Sequence, residues 1–163
     1  MSNPLVEAFV KAELGNRYKK AMEGIGRVTF AVTLAESIVD VIGCYLEGEQ
    51  AYEKRSKGKP TGPKIKYVKK MCETRISDPS LKNRIDGYCD SLSDFVQRRN
   101  DIVHSLYLQI GEQILRIKIT PRKVEPITSD ELFQLAHQIW TLYSENATAL
   151  ISGFEKAMQD RSA

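Results

Sequence analysis

The sequence predicts an all-α fold, an antiparallel bundle of four to five helices with a short β-hairpin between the last two long helices. Two observations predict it. Apolar residues recur at alternating gaps of three and four along most of the chain, the period of an amphipathic helix. Strict alternation of apolar and charged residues, typical of a strand, occurs only around residue 115. A chain of 163 residues can bury one core, so we expect a single domain over residues 1–163.

Two helices are predicted in the first 46 residues. An asparagine–proline start signal at residues 3–4 predicts a helix over about 4–22. Gly24 and Gly26 then predict a tight break. The second helix, 25–46, is apolar around most of its surface, which favours a central or interface position. Its one polar seam consists of Thr29, Thr33, Glu36 and Asp40.

The middle of the chain is expected to hold a mobile basic loop at about 47–63, because glycines, prolines and charges are concentrated there. A short basic helix follows over about 64–75. Ser77-Asp78-Pro79 is a helix start signal, and the helix that it opens is expected to end near His104.

The last third of the chain predicts a hairpin and one long helix. Leu115, Ile117 and Ile119 alternate with basic residues, and Gly111 can turn the chain before them. Thr128 and Glu131 have the spacing of a capping box, which opens the last helix. On that helix we expect Trp140, Tyr143 and His137 to be core or structural residues.

Composition indicates a cytoplasmic protein. The first residues lack a basic region followed by an apolar core, and no run of about 18 apolar residues indicates a membrane span. The cysteines, Cys44, Cys72 and Cys89, lack metal-ligand spacing, so reduced thiols are expected. There is also no Gly-rich phosphate loop, nucleophile elbow or histidine cluster. The sequence therefore predicts no metal or cofactor.

One segment of the chain is strongly basic. Residues 54–75 contain nine basic residues and one acid, a net charge of +8, although the whole chain carries only +3. The remainder is therefore at −5. A basic strip on an acidic body indicates a polyanionic partner, and a solvated loop that maintains solubility is the alternative. The lysines expected to contact RNA are Lys64, Lys66, Lys69 and Lys70.

A permanent charge interrupts the apolar seam of the fourth helix. The stripe of Leu81, Ile85, Tyr88, Leu92 and Phe95 continues at Ile102, and the intervening seam position holds Arg99. Three interpretations are open. The side chain can extend its head to water, pair with a buried acid, or face a cleft that binds an anion. The acids of the helix 25–46 are the expected partners, and Glu36 is favoured over Asp40.

A histidine follows five residues later, in the string Arg-Asn-Asp-Ile-Val-His from Arg99 to His104. A histidine titrates near neutral pH and can take a proton from the 2′-hydroxyl of RNA or give one to the leaving oxygen. A nearby guanidinium can stabilise charge on the phosphorane-like transition state. Asn100 lies one helical turn before His104 and shares its face. This combination indicates phosphoryl-transfer chemistry.

The string from Arg99 to His104 resembles the arginine–four-to-six residues–histidine motif of the HEPN superfamily, all-helical domains common in prokaryotic toxins and defence systems. Asn100 also matches, since a polar residue usually follows the arginine there. The resemblance covers this motif and the all-α context. It departs from one toxin subgroup, in which a modified tyrosine stands two residues after the histidine, because that position is Leu106 and the tyrosine is Tyr107.

The resemblance implies a metal-independent endoribonuclease that leaves 2′,3′-cyclic phosphate and 5′-hydroxyl ends. RNA is then the expected substrate, and an antitoxin or other neutralising protein is an expected partner. Arg99 and His104 would be catalytic, with Asn100, Asp101, Glu36 and Asp40 in support. It also implies a homodimer with both motifs in one cleft. Geometry favours this, since five residues at about 100° place the two side chains roughly 140° apart on one helix.

Two alternatives use the same residues. In the first, a non-catalytic helical module binds RNA, a nucleotide or a partner protein through the same cleft. In the second, the bundle is purely structural and Arg99 belongs to an ion pair. Loss of RNA cleavage in His104→Ala would separate the nuclease from both.

Overall fold

The structure is a computed structural model that describes the backbone of residues 4–119 and 121–159 and the side chains of residues 15–119 and 121–157. It is 77% helical, so the chain is mainly all-α, as predicted. The described backbone forms, in order, α1 (Pro4–Glu47), α2 (Glu49–Ser56), α3 (Thr61–Arg75), α4 (Pro79–Val103), β1 (Leu106–Ile110), β2 (Gln113–Lys118), β3 (Lys123–Pro126) and α5 (Ser129–Gln159).

The predicted break at Gly24 and Gly26 is wrong, because α1 is one continuous helix of 44 residues. A glycine inside a helix costs only about 1 kcal/mol relative to alanine, which tertiary packing can offset. Gly24 provides such packing, since a Cβ at this position would lie 2.6 Å from the Cβ of Leu132. At Gly24, α5 therefore comes close to α1. The glycine that predicts a turn in the sequence instead allows this close contact between two helices.

The core lies where α1 packs against α4 and α5. Val28, Val32, Leu92 and Ile139 are completely or almost completely buried in it. Tyr88 is buried as well, and its hydroxyl donates a hydrogen bond of 2.7 Å to the Ala35 carbonyl. The apolar stripes predicted for these helices are thus confirmed as core.

By length and composition, α1 could also cross a membrane, over Gly15–Glu47; it is the one described helix that passes this test. A core helix of a globular domain passes the same test. Val28, Val32 and Ile42 of this segment are buried within the fold.

Most of the predicted loop at 47–63 is helical. Gly48, with φ 90°, separates α1 from the short helix α2, and α3 already begins at Thr61. The side chain that orders this region is Tyr52, which is 2% exposed and packs directly on Gly43 of α1. A buried aromatic residue supplies the apolar area that a charged, glycine-containing segment otherwise lacks. Only residues 57–60 connect α2 to α3.

The predicted starts of α4 and α5 are confirmed. The Asp78 carboxylate accepts hydrogen bonds from the amides of Ser80 and Leu81. Thr128 and Glu131 form a reciprocal capping box, with the Thr128 amide 2.8 Å from Glu131 Oε2 and the Glu131 amide 3.2 Å from Thr128 Oγ1. These local caps fix the two helices whose ends border the site.

The predicted hairpin is present and gains a third strand. β1 and β2 pair antiparallel around a turn at Gly111, whose φ is 58°, and β3 extends the sheet in the order β1-β2-β3. The sequence signal for β3 is weak because this strand has four residues, two of them charged, and ends at Pro126.

Two expectations for α5 are wrong. Trp140 is 47% exposed and lies against the half-buried Tyr143, with 5.7 Å between ring centroids and the ring planes tilted by 46°. His137 is exposed as well. Both lie on the side of α5 that faces the exposed Phe30 of α1, around a small surface groove.

Candidate functional site

Arg99 pairs with Glu36, as the sequence predicts. Its Nη2 lies 3.1 Å from Glu36 Oε1, and the two side chains are only 22% and 21% exposed. The same carboxylate oxygen accepts a hydrogen bond from the Thr61 hydroxyl. Arg99 Nε is buried and has no acceptor among the described residues. The pair joins α4 to α1, and Thr61 adds α3, so the guanidinium is held at the meeting point of three helices.

Asp40, the second expected partner, binds other groups. Both its oxygens lie 3.0 Å from Lys64 Nζ, and Oδ1 accepts the Tyr52 hydroxyl at 2.9 Å. Burial and this hydrogen bond raise the pKa of Tyr52. Asp40 is thus one turn of α1 away from Glu36 and ties α2 and α3 to the core. It supports the region near Arg99 without touching Arg99.

His104 ends α4. Its backbone has φ −92° and ψ 11°, and its amide donates to the Asn100 carbonyl at 3.0 Å. Its imidazole is exposed. Within the described residues, the Asn100 side chain makes no hydrogen bond to it, so the expected orienting contact is absent in this conformation. Arg99 therefore faces the three-helix junction, whereas His104 faces solvent at the entrance to β1.

Asp101 connects α4 to the sheet. Its carboxylate accepts hydrogen bonds from Lys118 Nζ at 2.8 Å and from Gln97 Nε2 at 3.1 Å. The hydrogen bond from Lys118 is the main cause that lowers the pKa of Asp101. This residue lies between Arg99 and His104 in sequence, and it fixes the last turn of α4 against β2.

A polar cavity of about 460 Å³ lies between the end of α4, the sheet and the start of α5. Its charged lining comprises Arg98, Asp101, Arg116, Lys118, Glu125 and Glu131. Arg116 pairs with Glu125 across β2 and β3. Sequence reasoning missed this cavity. The signal was the alternation of Arg116 and Lys118 with apolar residues, from which a charged solvent face would ordinarily be expected.

Two of the four lysines expected to bind RNA form ion pairs with aspartates. Lys64 pairs with Asp40, and Lys69 lies 2.8 Å from Asp90 and 3.6 Å from Asp86. The hydrogen bond that Lys69 donates to Asp90 raises the pKa of Lys69. Lys66 and Lys70 are exposed and form no ion pair in the part of the chain that the structure describes. Two of these four lysines therefore form ion pairs within the fold, and the other two carry a charge that is unpaired among the described residues.

A search of the described residues finds no group of three or more histidine, cysteine or acidic side chains placed to hold a metal ion. The cysteines in this part of the chain are free thiols. Burial raises the pKa of Cys72 and of Cys89 to about 12, so these two are poor nucleophiles.

Comparison with models of protein families gives no match, and neither curated proteins nor solved structures match the chain. The functional interpretation therefore depends on the motif and its surroundings.

Proposed function

We propose that this protein is a metal-independent endoribonuclease of HEPN type that acts in the cytoplasm as a toxin or antiviral-defence effector. Its helices would form the antiparallel bundle of that class, and its working state would be a homodimer. The observation that carries the proposal is the end of α4, where Arg99 is held by Glu36 and an exposed His104 follows five residues later.

The proposed reaction needs one proton acceptor, one proton donor and one stabiliser of phosphate charge. An imidazole accepts the proton of the 2′-hydroxyl, and the 2′-oxygen forms a bond to phosphorus. The bond from phosphorus to the 5′-oxygen breaks, and that oxygen receives a proton to leave as a hydroxyl. The guanidinium stabilises the negative charge on the phosphorane-like transition state. The products are a 2′,3′-cyclic phosphate and a 5′-hydroxyl end.

One protomer does not hold all three groups together. Arg99 faces the junction of α1, α3 and α4, His104 faces solvent, and a single imidazole cannot be acid and base in the same step. A homodimer supplies two imidazoles and two guanidiniums. We therefore place the complete site between two copies, with the ends of both α4 helices on one cleft.

Among the four expected RNA-contacting lysines, Lys66 and Lys70 are the best suited to RNA phosphates, since they are exposed and unpaired within the described chain. Lys64 and Lys69 already neutralise acids. Steep salt dependence of RNA binding should thus originate mainly from Lys66 and Lys70.

One observation favours a second candidate, a non-catalytic module that binds RNA, a nucleotide or a protein in the same place. Glu36 balances the charge of Arg99, so Arg99 is less able to stabilise the additional negative charge that develops in a cleavage transition state. A binding module needs no proton transfer, so only an activity measurement separates the two functions.

The decisive measurement is cleavage of single-stranded RNA in the presence of EDTA. Wild type should cut RNA and spare DNA, which lacks the 2′-hydroxyl. His104→Ala should lose at least about 10²-fold in rate while keeping RNA affinity. His137→Ala is the matched control, because His137 is an exposed histidine on α5 outside the motif. Arg99→Lys should also be inactive, since a point charge does not reproduce a planar two-pronged phosphate contact. Equal rates for wild type and His104→Ala on every RNA tried would exclude the nuclease.

The lysine assignment has its own test. The double variant of Lys66→Ala and Lys70→Ala should reduce the slope of log affinity against log salt by roughly 1.5 and leave the melting temperature unchanged. The control variant Lys64→Ala should lower the melting temperature, because it leaves Asp40 without its cation. An unchanged slope in the double variant would show that these two lysines do not contact RNA.

A further inference from the structure

The three-stranded sheet has one wholly uncharged face, which we call the outer face. The register aligns Leu106 with Ile117 and Val124, and Leu108 with Leu115 and Pro126. Side chains in register share a face of the sheet. By this register the outer face contains Leu106, Leu108, Ile110, Gln113, Leu115, Ile117, Val124 and Pro126, and Ile119 continues the alternation one residue past the end of β2. Eight of these nine residues are apolar.

The outer face is open to solvent. Leu106, Leu108, Ile110, Ile119 and Val124 are between 50% and 66% exposed. No element among the described residues covers them. A monomeric protein rarely exposes so many large apolar side chains in one contiguous patch unless the patch binds something.

The opposite face of the sheet carries the charges. Arg116, Lys118 and Glu125 point to the polar cavity beside α4 and α5, and Ile114 is the buried apolar residue of this side. A sheet that packs on helices ordinarily presents its apolar face to them and its charges to water. This sheet does the reverse, which indicates that its apolar side binds a partner that is not among the described residues.

We infer that the partner is a second copy of this chain, with the two outer faces stacked across a twofold axis. The inference rests on the homodimer of the proposed function and assigns its contact surface. A twofold axis brings a patch onto itself, so a patch that carries charges of one sign would bring like charges together near the axis. The outer face carries none. β1, the edge strand next to the motif, is also uncharged along its whole length.

The outer face is small, so residues beside it must also contribute to a dimer interface. Strands of five or six residues are about 17–20 Å long, and three of them span about 10–14 Å. By these dimensions, two such faces in contact cover roughly 350–550 Å² in total, about half of what a specific interface buries. Val103, 42% exposed, lies three residues before Leu106 in sequence and can add to the contact.

Stacking also connects this surface with the motif. His104 stands two residues before Leu106, at the start of β1. In one such arrangement, the twofold axis runs parallel to the strands and midway between the two stacked sheets. Both β1 strands then begin at the same end of the interface. Packed sheets lie about 10 Å apart and neighbouring strands about 4.8 Å, so the two chains would enter β1 about 10–14 Å from each other. That separation suits one RNA phosphate between two imidazoles.

The other exposed apolar patch suits a twofold contact less well. It centres on Phe30, 63% exposed, and Trp140, and its groove is also lined by Arg27 and His137. A second copy docked there would bring two Arg27 guanidiniums into one interface. The patch is valuable as a control, because it also exposes large apolar side chains and lies on the helices.

Sedimentation velocity over a series of protein concentrations tests the inference. Wild type should be a dimer at micromolar concentration. The double variant Leu106→Glu with Leu108→Glu should raise the dimer dissociation constant at least about tenfold, since burying unpaired carboxylates is costly. Phe30→Glu should leave it unchanged, and circular dichroism should show that both variants are folded.

A monomeric wild type, or a dimer that Phe30→Glu breaks and the sheet variant does not, would overturn the inference. RNA cleavage measured on the same samples keeps the two proposals apart. A sheet-dependent dimer without cleavage supports this interface and contradicts the nuclease. Cleavage by a dimer that the sheet variant does not affect does the opposite.

Discussion

The helical body, which consists of α1 to α5, buries most of its apolar side chains, whereas the three-stranded sheet exposes many of its own. In the body, Val28, Leu92 and Ile139 are fully buried, and charged groups lie at the surface or in pairs between helices. In the sheet, several charged groups point to the polar cavity beside α4 and α5, and Leu106, Leu108 and Ile110 point to solvent. The body thus buries most of its apolar side chains among the described residues, whereas the sheet leaves one apolar face uncovered. We therefore expect the body to determine the stability of the fold and the sheet to determine assembly.

The candidate site lies on the boundary between these two regions. Arg99 belongs to the body, since Glu36 of α1 fixes it. His104 belongs to the sheet side, since it ends α4 and leads into β1. A site divided in this way would depend on both folding and assembly.

The largest difference in stability is expected between two variants, one that truncates a leucine of the helical body and one that truncates a leucine of the sheet. Leu92→Ala removes a fully buried side chain from the core and should lower the free energy of unfolding by about 2–5 kcal/mol. Leu108→Ala removes a half-exposed one and should change it by less than about 0.5 kcal/mol. Urea denaturation at a protein concentration well below the dimer dissociation constant measures both. Similar losses for the two variants would show that the sheet face is covered within one chain.

A smaller effect should distinguish two glycines of α1. Gly24→Ala should destabilise by about 1–3 kcal/mol, because its Cβ would collide with Leu132 of α5. Gly26→Ala should stabilise by about 0.5–1 kcal/mol, because this position is open and alanine favours the helix. Thermal denaturation of the two variants provides the comparison. Stabilisation by both would mean that α5 does not approach α1 at Gly24.

The ion pair at the boundary should contribute less. A double-mutant cycle with Glu36→Gln and Arg99→Met should give a coupling of about 1 kcal/mol, since both side chains are about four-fifths buried and each loses its counter-charge. Arg99→Met alone should cost more than Glu36→Gln alone, because a glutamine oxygen can still accept from Arg99, whereas Arg99→Met leaves the Glu36 carboxylate without its cation. A coupling near zero would show that the two groups separate in solution.

Much of the fold follows from local sequence signals. The apolar stripes, the Asp78 cap and the Thr128–Glu131 capping box predict α4 and α5 because each depends on residues near in sequence. The Gly24 and Tyr52 regions were mispredicted for a different reason. The local structure at these positions depends on packing against another element. Gly24 packs against α5, and Tyr52 packs against Gly43 of α1.

The candidate site likewise has features that the sequence predicts and features that it does not. Glu36 could be predicted as the partner of Arg99 because the helix 25–46 has few polar positions, and a buried charge requires a counter-charge. The orientation of the sheet could not be predicted, since alternation of Arg116 and Lys118 with Leu115 and Ile117 indicates two faces but not which face is internal. Trp140 was misplaced because hydrophobicity alone does not distinguish a core residue from one on an exposed patch.

The smallest effect concerns pH and the joint between body and sheet. Asp101 accepts from Lys118, which lowers the pKa of the carboxyl in the folded state. A group with a lowered folded pKa stabilises the fold above its unfolded pKa, about 3.9, and loses that contribution as the pH falls through the folded value. Wild type should thus be more stable than Asp101→Asn at neutral pH, and the difference should shrink below about pH 4.

Denaturation of both proteins between neutral and acid pH measures this difference. Asp94→Asn is the matched control, since Asp94 is an exposed aspartate on the same helix without an ion pair in the described structure. Its difference from wild type should stay near zero throughout. Because the Asp101 carboxyl is partly exposed, salt should reduce its contribution. A difference between wild type and Asp101→Asn that grows as the pH falls would mean that Lys118 does not hold this carboxylate, and that the sheet is free to move relative to α4.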